Sequence, residues 1–287
     1  MKATHRIGFI SIKKSQFWLL GIASSLMAIY MTLVWQIGDT AHFGMSMLFL
    51  LAVGSLLWEK RHSLILESKV FSRVLGGLLI AVVLWRSIDL IDANFLRVFP
   101  FISGLGVALL AADFKGLKQY WQELTILFFL GVPSVLVSSI VDPSPFTAKF
   151  SGFLLWYSGF KVSVQDVYIN LPTGGIKVYS GCAGTESISY LLGLAVVCLV
   201  MFPIERNKQI SVPIVAIAIG YLVNAFRVAL MAVLAASGNR ESFNYWHEGD
   251  GSLIIGAIAV IIFGLFYLFL LRQSEAETQE NAESQKQ

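Results

Sequence analysis

Long apolar runs, broken by short polar clusters, recur along most of this 287-residue chain. Eight runs read as membrane-crossing helices, at about 17–37, 42–58, 74–93, 98–113, 121–141, 182–203, 211–236 and 251–271. Runs near 20 residues suit a hydrocarbon core about 30 Å thick at about 1.5 Å per residue. The second and fourth are the shortest. The first follows Lys13 and Lys14 and is span-length, so it reads as an uncleaved signal anchor.

The stretch 142–181 breaks this pattern. Asp142-Pro143-Ser144-Pro145 stops the preceding helix. Phe146, Phe150, Phe153, Trp156, Tyr157 and Phe160 then mark an apolar patch too short to cross, which predicts an aromatic helix lying at the interface. Val162, Val164, Val167, Ile169 and Leu171 alternate with polar residues, Pro172-Thr173-Gly174-Gly175 makes a turn, and Ile176 and Val178 lead on to Cys182. That is a short hairpin. Its edge lies beside a thiol and offers a place for an extended peptide. The polar tail, rich in Gln and Glu, is expected to be disordered.

The fold class is therefore an all-α polytopic membrane protein. It has about eight transmembrane helices and a long extracytoplasmic loop with an interfacial helix and a short β-hairpin. Four regions follow: 1–141 with five spans, 142–181 as the outer loop, 182–272 with three spans, and 273–287 as the tail.

Composition agrees. Hydrophobic residues make up 56% and charged residues only 14%, against roughly 25% charged in soluble domains. Mean hydropathy is +0.72. The net charge of +3 gives no basis for a nucleic-acid partner. With both termini inside, fourteen Lys and Arg fall on inner segments and five (Arg97, Lys149, Lys161, Lys177, Arg240) on outer ones. This bias places both termini in the cytoplasm. Arg86 and Arg227 fall within spans, and Arg86 shares a helix face with Asp89 as a candidate ion pair.

The two cysteines, Cys182 and Cys198, lie sixteen residues apart on one expected helix. That separates them by about 24 Å, far beyond the roughly 7 Å a disulfide spans. Cys198 sits among Val and Leu as a small hydrophobe. Cys182 is flanked by Gly181, Ala183 and Gly184 at an expected helix start, where unbonded N–H groups favour a thiolate. The small neighbours would let a peptide backbone approach closely.

A charge inside a bilayer needs a partner or a task. Arg227 in span seven has donors suited to a carboxylate or an oxyanion, and Glu186 and Asp89 are its candidate structural partners. Asn224 lies one turn earlier on the same face. His247 sits in the loop before the last span, with the proton-shuttle chemistry of imidazole and Glu248 and Asp250 beside it. The order of the spans brings Cys182, Arg227 and His247 to one side of the membrane. Each alone is explicable as packing, as an ion pair, or as an interfacial ring. Together they form the parts of an activated thiol nucleophile.

At these residues the chain resembles the exosortase/archaeosortase family. The likeness rests on Ser180-Gly181-Cys182-Ala183-Gly184, on Asn224-Ala225-Phe226-Arg227-Val228-Ala229, and on Phe243-Asn244-Tyr245-Trp246-His247-Glu248-Gly249. It covers about 160–270 in detail and the first five spans only in character. The family more often has Ser where this chain has Ala183. The resemblance implies a cysteine transpeptidase or protease of the plasma membrane, acting at the outer interface. It would cleave C-terminal sorting signals of Pro-Glu-Pro (PEP-CTERM) type from membrane-anchored exported proteins and pass them to a lipid or envelope acceptor. Cys182 would form a thioester, Arg227 would hold the oxyanion or thiolate, and His247 would protonate the leaving amine. Asn224, Glu186, Glu248, Gly181 and Gly184 would bind substrate or support these three. The partners implied are those substrates and the lipid bilayer. No cofactor or metal is called for, because no second His or Cys lies at ligand spacing. The competing expectations are a multi-span transporter, or a non-catalytic envelope assembly protein with an inert Cys182.

Overall fold

A computed structural model describes residues 14–88, 92–247 and 249–284. Its elements run α1 (Lys14–Ile37), α2 (Thr40–Glu59), α3 (Val70–Arg86), α4 (Ala93–Ala111), α5 (Trp121–Ile140), α6 (Ser144–Tyr157), β1 (Ser163–Gln165), β2 (Tyr168–Leu171), β3 (Gly174–Lys177), α7 (Thr185–Met201), α8 (Arg206–Gln209), α9 (Ser211–Ala236), α10 (Arg240–His247) and α11 (Asp250–Ser284).

Among the described residues, six helices are long and apolar enough to cross a membrane: α1, α2, α4, α5, α9 and α11. The expected spans at 74–93 and 182–203 hold helices α3 and α7 of 17 residues each. At 1.5 Å per residue these reach about 25 Å, just short of a 30 Å core. Asp89, the expected partner of Arg86, lies outside the described residues. The Arg86 guanidinium sits over the Phe95 ring, 5.8 Å from its centre.

Helices in lipid gain little from the hydrophobic effect between themselves and associate where small residues let backbones approach. Here Gly193 of α7 faces Phe129 of α5 and Phe49 of α2, and Gly220 of α9 faces Ile188 of α7. A Cβ at Gly220 would stand 2.9 Å from the Ile188 Cα, and one at Gly193 would stand 2.8 Å from the Phe129 carbonyl oxygen. At the end of the bundle opposite Cys182, Lys60 Nζ donates to Glu123 Oε2 at 2.8 Å and to the Gln119 carbonyl at 2.6 Å.

The loop before Cys182 is more built than a hairpin. It folds into an antiparallel three-stranded sheet in the order β1-β2-β3, with Ile169 opposite both Val164 and Ile176. The third strand arises because Val162 and Val164 continue the two-residue alternation, and Ile169, Ile176 and Val178 share the face they bury against α6 and α9. The expected aromatic helix is α6. Asp142 accepts from the Ser144 N–H at 3.0 Å and the Ser144 hydroxyl at 2.5 Å, which holds its carboxyl below the usual carboxylate range. Ala148, Ser151 and Leu155 turn inward, while Phe146, Phe153, Trp156 and Tyr157 stay exposed.

The tail also differs from expectation. Instead of becoming disordered at 273, α11 continues to Ser284. Glu, Gln and Ala are good helix formers and extend a helix that the apolar run has already nucleated. Lys208 Nζ holds Glu277 Oε2 at 2.7 Å.

Gly220→Val is expected to force α7 from α9 and lower stability by about 1–3 kcal/mol. Gly256→Val, at a site with no heavy atom within 4 Å, should leave it nearly unchanged. Thermal unfolding of the two detergent-solubilised variants checks this, and equal shifts would contradict the packing.

Candidate active site

Cys182 is not on the first turn of α7. It ends a single 3-10 turn, Ser180–Cys182, that links β3 to the helix. The helix starts three residues later, at Thr185, after Gly184 at φ +96°. Only glycine holds that backbone at little strain. A Cβ at Gly184 would also stand 2.8 Å from Asn224 Nδ2. The absence of a side chain lets Asn224 reach past it and donate to the Cys182 carbonyl at 2.9 Å. From α6, the Thr147 hydroxyl donates to the Ala183 carbonyl at 2.8 Å. Two neighbouring helices thus pin the turn that carries the thiol.

His247 ends α10, and its Nε2 lies 3.2 Å from Cys182 Sγ and 2.9 Å from the Tyr179 hydroxyl. Its ring stacks on Phe243, one turn earlier, at 5.3 Å and 19°. Nε2 carries either one lone pair or one proton, so the thiol and the phenol compete for it. Gly181 permits this crowding, because a Cβ there would stand 2.9 Å from Tyr179 Cε2. Cys182 is 6% exposed. The pocket over it is lined by Ile176, Lys177, Val178 and Tyr179 from the sheet side, by Val228 and Met231 from α9, and by Phe243 and His247 from α10.

Arg227 joins the site through the backbone. Its Nε donates to the Trp246 carbonyl at 3.1 Å and its Nη2 to the His247 carbonyl. These carbonyls lie at the end of α10, where a cation also meets the negative end of the helix dipole. The guanidinium therefore fixes the residue that holds the imidazole, and no bond from it to sulfur is needed to explain its place.

Of the residues expected at the site, Cys182, His247, Arg227, Asn224, Gly181 and Gly184 come together. Glu186 does not support the thiol. It forms an ion pair with Arg97 of α4, which also donates to Ser134 of α5 at 3.0 Å. Four residues past Cys182, a helix turns Glu186 toward that face of the bundle. Glu248 lies outside the described residues. Tyr179 and Thr147 were missed, since neither type stands out in sequence. His42 of α2 lies outside the pocket over Cys182, with its Nε2 3.0 Å from the Tyr30 hydroxyl and its Nδ1 3.2 Å from the Tyr190 hydroxyl.

Fold and site together define a polytopic membrane protein with a Cys–His pair at one end of its bundle. Residues 35–264 match the family model of transmembrane exosortase (Exosortase_EpsH). The chain belongs to the transmembrane exosortase family. No curated protein and no solved structure gives a significant match.

Asn224→Ala leaves the buried Cys182 carbonyl without its donor and is expected to lower stability by about 1–3 kcal/mol. Gly184→Ala should lower it by a similar amount, through strain and through displacement of Asn224. Because both act on one contact, the double variant should lose less than the sum of the single ones. Unfolding of the three purified variants tests this, and full additivity would separate the two residues.

Proposed function

We propose that this chain is a membrane-embedded cysteine transpeptidase or protease that cleaves the C-terminal sorting signals of exported proteins. The observation that carries the reading is the 3.2 Å contact between Cys182 Sγ and His247 Nε2, in a pocket walled by the sheet, α9 and α10. Membership of the exosortase family supports the substrate class.

In this reading His247 Nε2 takes the thiol proton as Cys182 Sγ attacks the scissile carbonyl carbon. The new C–S bond forms a tetrahedral oxyanion. Its collapse breaks the C–N bond, and the imidazolium gives its proton to the departing amine. The resulting thioester is attacked by a lipid or envelope nucleophile, or by water, whose proton His247 takes; the C–S bond then breaks and the imidazolium returns that proton to Cys182 Sγ. Arg227 is a positioning residue that holds the two carbonyls at the end of α10, and Tyr179 shares Nε2 with the thiol. The signal is of the Pro-Glu-Pro kind, followed by an apolar helix and a basic tail. A substrate helix in the same bilayer raises the motif's effective concentration at the pocket.

The same reading places Cys182 at the extracytoplasmic face of the plasma membrane, with both termini in the cytoplasm. The 17-residue helices α3 and α7 complete eight crossings. The exposed aromatic side of α6 suits an interfacial position. A transporter would instead hold its polar groups near the midplane on broken helices.

Cys182→Ala is expected to abolish processing of a co-expressed exported reporter ending in such a signal, with insertion of the variant unchanged. Arg227→Lys, which cannot reach both carbonyls in one plane, should slow processing by at least about tenfold. Immunoblotting of the reporter reads both, and mass spectrometry of its new C-terminus separates transfer from hydrolysis. Normal processing by Cys182→Ala would refute the nucleophile. Labelling of Cys182 in intact cells by a membrane-impermeant maleimide is expected, and labelling only after the cells are opened would reverse the orientation.

A further inference from the structure

We infer that the outer edge of β3 is the substrate-binding element, and that it takes the extended peptide segment beside the scissile bond as a fourth strand. This rests on the reading of Cys182 as a peptide-cleaving nucleophile and adds how the peptide is held.

The register decides which main-chain groups are available. Val178 N–H donates to the Val167 carbonyl at 2.8 Å. Opposed residues of an antiparallel pair alternate between exchanging both hydrogen bonds and exchanging none. Val178, Ile176 and Gly174 therefore turn their N–H and C=O groups toward β2. Gly175 and Lys177, the residues between them, turn theirs away from the sheet. Among the described residues neither makes a backbone hydrogen bond on that side, and both are exposed. The helices make no hydrogen bond to this edge among the described residues. They cover the inner face, where Ile169 and Val178 pack on Leu155 of α6 and on Val228, Met231 and Ala232 of α9.

An open strand edge is a hazard that proteins usually block with a charge or a bulge. The charge here is Lys177, but its ammonium lies back over the Tyr168 ring on the outer face, 5.7 Å from the ring centre. The edge stays clear and a positive charge stands above it. Lys177 and Cys182 also line one pocket, so a chain paired along the edge runs directly onto the sulfur. Only another main chain offers donor and acceptor pairs at the two-residue spacing of Gly175 and Lys177. Residues opposite one another share a face, so Lys177 favours an acidic side chain on the outward face of the added strand.

The test uses the purified full-length protein in lipid nanodiscs and a synthetic peptide with a Pro-Glu-Pro segment before an apolar helix. Each non-proline residue of the extended segment is N-methylated in turn. Losses of about tenfold in kcat/KM, the effect of one or two hydrogen bonds, are expected at alternate residues, with the residues between them changing by less than about twofold. Equal losses at adjacent residues, or no loss anywhere, would overturn the strand. Lys177→Pro removes the outward N–H and spares the bonds to β2. It should raise KM about tenfold, with alkylation of Cys182 by a small thiol reagent unchanged. Unchanged kcat/KM in that variant would also overturn the proposal, and if the variant loses alkylation the methylation series decides. The unmodified peptide separates the two readings: failure of Cys182-dependent cleavage overturns both, whereas cleavage without the alternating pattern overturns only the strand.

Discussion

The clamp of Arg227 on the end of α10 is the interaction on which the site depends. A guanidinium in an apolar helix is expensive unless its donors are used. Here the Trp246 and His247 carbonyls use them, and those carbonyls are the very acceptors that a short helix leaves unsatisfied at its end. The two deficits cancel each other. An eight-residue helix has little stability of its own in water, so this contact joins the packing of Phe243 and the ring contacts of His247 in holding its last residue in one place. The imidazole is thus held both through the backbone of its own residue and through its ring.

The thiol is fixed in a similar indirect way. Asn224 and Thr147 hold the carbonyls on either side of the Cys182–Ala183 peptide, and the left-handed Gly184 turns the chain into α7. Sulfur and imidazole thus arrive at 3.2 Å with their backbones held by side chains from two helices, α6 and α9. Buried polar groups that are fully satisfied in this manner specify one arrangement strongly. The surrounding bundle, held by close helix contacts at Gly193 and Gly220, supplies the rigid frame.

Much of this was legible in the sequence, for identifiable reasons. Helix-length apolar runs survive almost any packing, so the spans of α1, α2, α4, α5, α9 and α11 could be read directly. Cys182, Arg227 and His247 could be placed on one side because an odd or even number of crossings fixes the end at which a residue emerges. The partner of each polar group was less legible. Glu186 looked like a helper of the nearby thiol, but Arg97 lies 89 positions away in the chain and no periodicity links the two. The alternation at Val162 and Val164 announced a strand but not how many strands would pair. The tail's composition is as compatible with a helix as with disorder, and the apolar run before it settled the matter by propagation.

One feature of α11 has a mechanical meaning. Thirty-five residues in a single helix measure about 52 Å, well over the thickness of a bilayer core. One end stands next to the segment that carries His247, and near the other Glu277 is tied to Lys208. Tyr267 fastens the shaft midway to the Phe202 carbonyl at 2.6 Å. With Ala259, Phe263 and Leu270 packed beside it, that tie makes α11 a splint laid along α7 and α9.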